Sequence, residues 1–422
     1  MKQLPPSYKW EMLFWLWLAF FLNQADRAIY GVVLPHIKRS LHLTATQEGL
    51  IGAMLFWTLA LMVPVAGIAG DRWSRRKIAS YSLIFWSCAT SLTGLARNWI
   101  HLVIFRSVAT GGGEAFFAPA NYAMIGQFHQ KTRSLAMAIH QTSFYLGVIS
   151  TGFLAGMIAE RWGWEASFYM FGSFGVVVGL IMLVRLHDAP KAIDPKTGQP
   201  EQPVGTWQAA SVLFRTPTAV LLTLAFTADV FVINGYMIWS PTYLQERFDL
   251  SLTKAGGFAM LYHYLFAFAG VILGGLVSDR WAARRRQVRI EIQFLGLLLG
   301  APFVYLVGAG TTPLAVYAGM AGFGLFRGIY EANLYASLYD VIPARMRASA
   351  SGTMLMCAFL VGGTAPLALG MMKDHWGLAV GLSRLSLVFF LGALALLVAH
   401  RWFFHRDYCQ ETDAESSLES AG

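Results

Sequence analysis

Residues 67–77 read GIAGDRWSRRK, and residues 275–286 read GLVSDRWAARRR. The core Gly-x-x-x-Asp-Arg-Trp recurs with the same internal spacing, and clustered arginines follow each copy, one residue later in the second. The copies begin 208 residues apart in a chain of 422 residues, each between the second and third apolar stretch of its half. Self-similarity at half the chain length marks a tandem repeat of one structural unit. The chain therefore reads as two halves built to one plan.

The rest of the sequence says what kind of unit is repeated. It is 56% hydrophobic and only 13% charged, with a mean hydropathy of +0.50, whereas about a quarter of the residues of a soluble domain are charged. About 20 apolar helical residues cross the roughly 30 Å hydrocarbon core of a bilayer. Twelve such stretches are present, near 11–33, 48–70, 78–97, 99–127, 134–158, 164–186, 218–243, 254–277, 287–308, 312–340, 347–371 and 377–402. The expected fold is an all-α integral membrane protein, twelve transmembrane helices forming two pseudo-symmetric six-helix bundles. Residues 1–186 form the first bundle, 187–213 a linker rich in proline and charge, 214–405 the second bundle, and 406–422 an acidic, polar tail. Trp207 to Phe214 reads as a short helix at the membrane interface.

The net charge of +9 points to topology and not to nucleic acid. With both termini placed in the cytoplasm, 21 Lys and Arg fall on that side and eight on the other, which is the positive-inside pattern of a multi-pass protein of the cell membrane. Cys88, Cys357 and Cys409 have no metal-like or redox spacing, so no disulfide framework, metal site or cofactor is expected. No nucleophile-base pairing or metal motif marks a catalytic residue, and an enzyme is not expected.

Three places break the apolar pattern. Residues 106–124, RSVATGGGEAFFAPANYAM, put Arg106 and Glu114 inside the fourth stretch; Asp26 and Arg27 lie in the first, and Arg327 and Glu331 in the tenth. A charge at bilayer depth costs several kcal/mol, about 2.5–3.5 on the most lenient scale, and persists where it faces a partner, a cavity or a substrate. Arg327 and Glu331, at i and i+4, share one helix face and suit a local salt bridge. Eight residues separate Arg106 from Glu114, about 800° of an α-helix, so the two do not align as residues seven apart would at about 700°. Gly111-Gly112-Gly113 either absorbs the extra residue in a π-bulge or lets the helix pack closely on a neighbour.

The repeated Gly-x-x-x-Asp-Arg-x-x-Arg-Arg element, the six-plus-six spans, the long central loop and Arg106 on span 4 resemble the major facilitator superfamily of secondary transporters, over nearly the whole chain. Asp26-Arg27 and Arg106…Gly113-Glu114-Ala115 look like its anion:cation symporter branch, carriers of sugar acids and other organic anions; the spinster branch shares much of the pattern. One departure is that those families usually place the arginine seven residues before the glutamate.

The resemblance implies alternating access and a proton-coupling role for Asp26 and Glu114. Their chemistry agrees, because a carboxylate in a partly dry cavity gains or releases a proton as its access changes. Arg27, whose planar fork matches a carboxylate or phosphate, is the expected anion clamp, with Arg106 either sharing that task or tuning Glu114. Tyr30, Asn121, Gln141, Tyr145, Asn234, Tyr236, Trp239 and Asn333 are the aromatic and amide groups suited to a sugar-like substrate. The resemblance also makes Asp71, Arg72, Arg75, Arg76, Asp279 and Arg280 a cytoplasmic gate. The expected function is proton-coupled symport of a small organic anion by a monomer in a lipid bilayer, with no cofactor beyond protons; the alternative is a neutral-sugar carrier or an exporter of an amphipathic lipid phosphate or drug-like molecule.

Overall fold

The structure, a computed structural model, describes residues 5, 7–188, 206–282, 284–285, 287–343 and 346–408; the side chains of 68, 70–72 and 206–209 also lie outside the description. Most of the linker and of the tail expected from the sequence thus falls beyond the described residues. Twelve long helical units follow one another. They are α1 (Tyr8–Leu41), α2 (Ala45–Arg72), α3 (Arg75–Thr93), α4, α5 (Arg133–Trp162), α6 (Trp164–Arg185), α7 (Pro217–Phe248), α8 (Leu252–Ala282), α9 (Val288–Ala309), α10, α11 and α12. Four of them are interrupted. α4 begins as Trp99–Leu102, widens into a π-helix over Val103–Ala109 and resumes as Thr110–Phe128. α10 comprises Pro313–Glu331 and Leu334–Tyr339, α11 comprises Arg347–Gly362 and Ala365–Trp376, and α12 runs from Leu378–Val398 through a π turn, Ala399–Phe403, to Phe404–Asp407. A short helix, Thr206–Arg215, precedes α7 where the sequence suggested one.

Local chemistry sets these boundaries. Thr44 opens α2 with a full capping box to Gln47, and Ser74, Asn98 and Thr312 each accept a hydrogen bond from a first-turn N–H. Such caps satisfy donors that a helix start leaves orphaned, each contributing about 1 kcal/mol. Trp162-Gly163 between α5 and α6 recurs as Trp376-Gly377 between α11 and α12, with φ of +86° and +80°. Only glycine adopts that region without strain, so this turn is a second repeated element.

Eight of the helical units carry an unbroken apolar window sufficient to cross a membrane. The four that fall short, α1, α3, α4 and α10, include the three holding the internal charges. The first described helix begins, at Tyr8, and the last ends, at Asp407, on one face of the bundle. There Tyr8 Oη donates to the Arg185 carbonyl, His129 Nε2 bonds the Lys9 carbonyl, and Asp407 accepts from Thr218 N and Oγ1 at the start of α7.

Helices of the two halves meet closely on the opposite face. A Cβ on Gly31 of α1 would lie 2.5 Å from the Met237 carbonyl oxygen of α7, and one on Gly49 of α2 would lie 2.3 Å from the Pro366 oxygen of α11. Between α5 and α8, Glu160 accepts hydrogen bonds from Thr253 N and Oγ1 at 3.0 and 2.6 Å. Thr46 Oγ1 donates to Asp374 at 3.1 Å, joining α2 to α11. Toward the face with those two helix ends the halves diverge: Cβ atoms on Gly67 of α2, Gly275 of α8 and Gly352 of α11 would meet nothing within 4 Å. The bundle is shut on one face and open on the other.

Candidate functional site

Two charge clusters occupy the interior, one in each half. In the first, Arg27 Nε of α1 lies 2.7 Å from Glu114 Oε2 of α4. The Glu114 side chain is fully buried, while that of Arg27 is 19% exposed, so Arg27 is the member of the pair with accessible surface. Arg106 is buried and directs Nη2 at the main-chain carbonyls of Asp26 and Arg27, at 3.2 and 3.4 Å, with its guanidinium 5.6 Å from the Tyr30 ring centroid. It ties α4 to the middle of α1. Asp26 faces away from Arg27; its Oδ2 accepts from Thr90 Oγ1 of α3 at 2.8 Å, beside a small pocket lined by Leu22, Trp86, Ser87, Thr90, Phe171 and Gly172.

The π-helix explains how Arg106 and Glu114 both address α1 despite an eight-residue gap. A hydrogen bond from i+5 to i encloses an extra residue per turn, and Thr110 Oγ1 also donates to the Phe105 carbonyl at 2.9 Å. The widening spans Val103–Ala109, just before the glycines and not at them. Gly111 and Gly113 do the other thing expected of them: Cβ atoms there would lie 2.9 Å from the Leu55 carbonyl oxygen and 2.7 Å from the Phe85 ring. Of the two expectations for the glycine run, close packing holds, while the π-bulge lies one turn earlier, at residues other than the glycines.

In the second half Arg327 of α10 holds two carboxylates. The local pair with Glu331 is present at 2.6 Å, and Asp229 of α7 receives Nε at 3.0 Å and Nη2 at 3.4 Å. Nothing in the sequence joins Asp229 to Arg327, 98 positions away. The clusters approach each other at Tyr264 of α8, which lies within electrostatic range of Arg27 on one side and of Arg327, Glu331 and Asp229 on the other. Tyr145 of α5 likewise senses Arg327 and Glu331. Two tyrosines outside the expected set, Tyr122 of α4 and Tyr335 of α10, are exposed and close enough to interact across the halves.

Several of the residues chosen for a sugar-like ligand have their polar atoms engaged elsewhere. Tyr30 Oη donates to the Glu48 carbonyl of α2 at 2.8 Å, and Tyr236 Oη donates to the Ala259 carbonyl of α8 at 2.5 Å. Each bond ties its helix to the next one of the same half, to an acceptor 18 residues on in the first and 23 residues on in the second. Trp239 Nε1 donates to the Pro366 carbonyl on the closed face, and Asn333 accepts from Ser278. Asn121 bonds His140 at 2.8 Å inside the first half. Asn234 is buried with its amide nitrogen unpaired, and Gln141 is half-buried one turn from Tyr145. Arg27, Tyr145 and Glu331 are the members of the expected set that converge between the halves.

The expected gate lies on the open face. Asp71 and Arg72 end α2, but their side chains are outside the described residues. Arg75 and Arg76 open α3, where Asp188 accepts from Ser74 Oγ and from the Arg76 main-chain N. Asp279 and Arg280 are exposed, and among the described residues neither forms an ion pair.

A family model described as the Major Facilitator Superfamily matches residues 16–366. Protein spinster homolog 1 of Xenopus laevis is 26% identical over 395 residues, covering 87% of this chain and 74% of that protein. The Hexuronate transporter of Bacillus subtilis (strain 168) is 24% identical over 381 residues, covering 87% and 89%. The crystal structure of a bacterial homolog to the human lysosomal transporter Spinster, inward-facing and occupied, matches 96% of this chain and 99% of that one with a TM-score of 0.84 at 20% identity.

Proposed function

The chain belongs to the Major Facilitator Superfamily, and from that premise we propose that this multi-pass membrane transporter moves a small organic anion, such as a sugar acid, by proton-coupled symport. The observation that carries the reading is the Arg27–Glu114 pair, whose arginine side chain is partly exposed while its glutamate is buried. A carboxylate substrate entering the cavity competes with Glu114 for the one guanidinium. Protonating Glu114 frees Arg27, so anion and proton bind together.

Charge balance gives the same result. Asp26, Glu114, Arg27 and Arg106 sum to zero, and a bound monovalent anion restores neutrality only if the Asp26–Glu114 pair gains one proton. Arg106, held on main-chain carbonyls, positions α1 and does not touch substrate. The similarity to a hexuronate transporter supports the substrate class. The basic residues of the open face support a cytoplasmic location for the termini in a cell membrane, which makes this the inward-open state. Each chain holds a complete site, so the monomer is the transporting unit, and the protein binds no cofactor or nucleic acid.

The test is uptake of D-glucuronate into proteoliposomes, with and without an inward proton gradient. Gradient-stimulated uptake in the wild type, lost in Glu114→Gln while counterflow exchange persists, supports the reading. D-glucuronate uptake that ignores the gradient rejects proton coupling.

A further inference from the structure

The second charge cluster is not balanced. Asp229 and Glu331 face the single cation Arg327, whereas the first cluster sets two arginines against two carboxylates. The cause lies in the repeat. Tyr30 and Pro35 of α1 have the spacing of Tyr236 and Pro241 of α7. In that register Arg27 corresponds to Ile233. The second half has no counterpart of the anion clamp.

The groups around Glu331 leave the excess charge uncompensated. From α10 come Arg327, Tyr330 and Tyr335, from α7 Asp229, from α8 His263 and Tyr264, and from α5 Tyr145. Tyrosines carry no positive charge. His263 is fully buried among Tyr236, Tyr264 and Phe323 at ring distances of 4.9, 4.8 and 4.4 Å, an apolar setting that disfavours its charged form. Arg27 reaches this region only through its field at Tyr264, and it is already paired with Glu114. A buried unpaired charge is removed by neutralisation more readily than it is tolerated.

The two carboxylates differ in access. Asp229 has no exposed side-chain surface and takes two contacts from Arg327, while the Glu331 side chain is 24% exposed and takes one. Arg327 Nη1 is buried without a partner, so this arginine does not saturate its surroundings and a single shared partner is all that Glu331 has. We infer that Glu331 is a proton-binding site of the second half, in exchange with water of the cavity and separate from the Asp26–Glu114 pair. Asp229 fixes Arg327 through two contacts, and Glu331 alternates between accepting from Arg327 and carrying the proton. The site's use in transport rests on the function proposed above; its existence does not.

Infrared difference spectroscopy of the purified, substrate-free protein tests this, because a protonated carboxyl has a C=O stretch that a carboxylate lacks. Titrated from mildly acidic to mildly alkaline pH, the wild type shows carboxyl signal of which one component is missing in Glu331→Gln and retained in Glu114→Gln. In Glu331→Asp, which keeps the charge if the glutamine variant does not fold, the same component moves in frequency or midpoint. A spectrum unchanged by both Glu331→Gln and Glu331→Asp overturns the inference. The titration needs no substrate, so a wild type that carries no D-glucuronate defeats the proposed function and leaves this result to be read alone.

Discussion

A Cβ on Gly256 of α8 would lie 2.6 Å from the Gly152 carbonyl oxygen of α5, and a Cβ on Gly152 would lie 2.7 Å from that of Gly256. The two backbones touch across the halves, and this contact exists only while this face is shut. Overpacking such a position costs about 1–3 kcal/mol, a shift of roughly five- to a hundredfold in a two-state equilibrium. Gly256→Leu is expected to favour the state open on this face. Spin labels at Ser40→Cys and Arg247→Cys, in a background lacking the native cysteines, will report a longer distance; an unchanged distribution rejects the assignment.

Glu160 caps the N-terminus of a helix belonging to the other half. Losing a cap typically costs about 1 kcal/mol, here charged to the closed state alone. Glu160→Ala should shift the same distance distribution about fivefold toward open, and Thr253→Ala less, because the main-chain N–H of residue 253 still donates. Equal effects of the two would mean that the hydroxyl carries the whole latch.

Arg27→Lys keeps the charge and loses the planar fork. Binding of a carboxylate should weaken by about tenfold or more, in line with the 1.5–3 kcal/mol of a charged hydrogen bond. Competition against D-glucuronate counterflow measures it. An unaltered affinity places the anion elsewhere.

Arg106 acts differently. Its guanidinium holds two carbonyls of α1 and offsets the buried Asp26 and Glu114, so Arg106→Met should cost about 3–5 kcal/mol of stability. The expected phenotype is a lower Tm in detergent, partly restored by Arg106→Lys. A variant of normal Tm that only fails to transport would make Arg106 a substrate contact.

Deleting Val108, an exposed residue within the π segment, shortens the Arg106–Glu114 gap to seven and turns the segment into plain α-helix. Because the widened turn exists to absorb one residue, the deletion variant should fold and retain gradient-driven uptake. An alanine inserted after Val108 should abolish it by turning Glu114 off α1. If the deletion is as damaging as the insertion, the widening has another role.

The fold was legible because its determinants are local or repeated: apolar stretches of membrane length, the Gly-x-x-x-Asp-Arg-Trp pair, and charges out of place in lipid. Even the π segment follows from an integer, the eight-residue gap. What escaped was the direction of side chains and the partners they find across the bundle. Tyr30, Tyr236 and Trp239 look like ligand-binding aromatics in one dimension, yet each donates to a main-chain carbonyl of another helix. Asp229 and Glu160 drew little attention because their partners, Arg327 and Thr253, lie 98 and 93 residues away. Tyr122 and Tyr335 become notable only once α4 and α10 are set opposite each other.

The spacing shared by Tyr30–Pro35 and Tyr236–Pro241 carries a historical meaning. Together with the repeated Gly-x-x-x-Asp-Arg-Trp element it belongs to the ancestral unit, a six-helix module that predates its own duplication. Against that fixed point, Arg27 and Ile233 record a later event, the gain or loss of one cation in one copy. A symmetric ancestor carried the same charge in both halves. Its descendant does not, setting two arginines against two carboxylates in one copy and one arginine against two in the other.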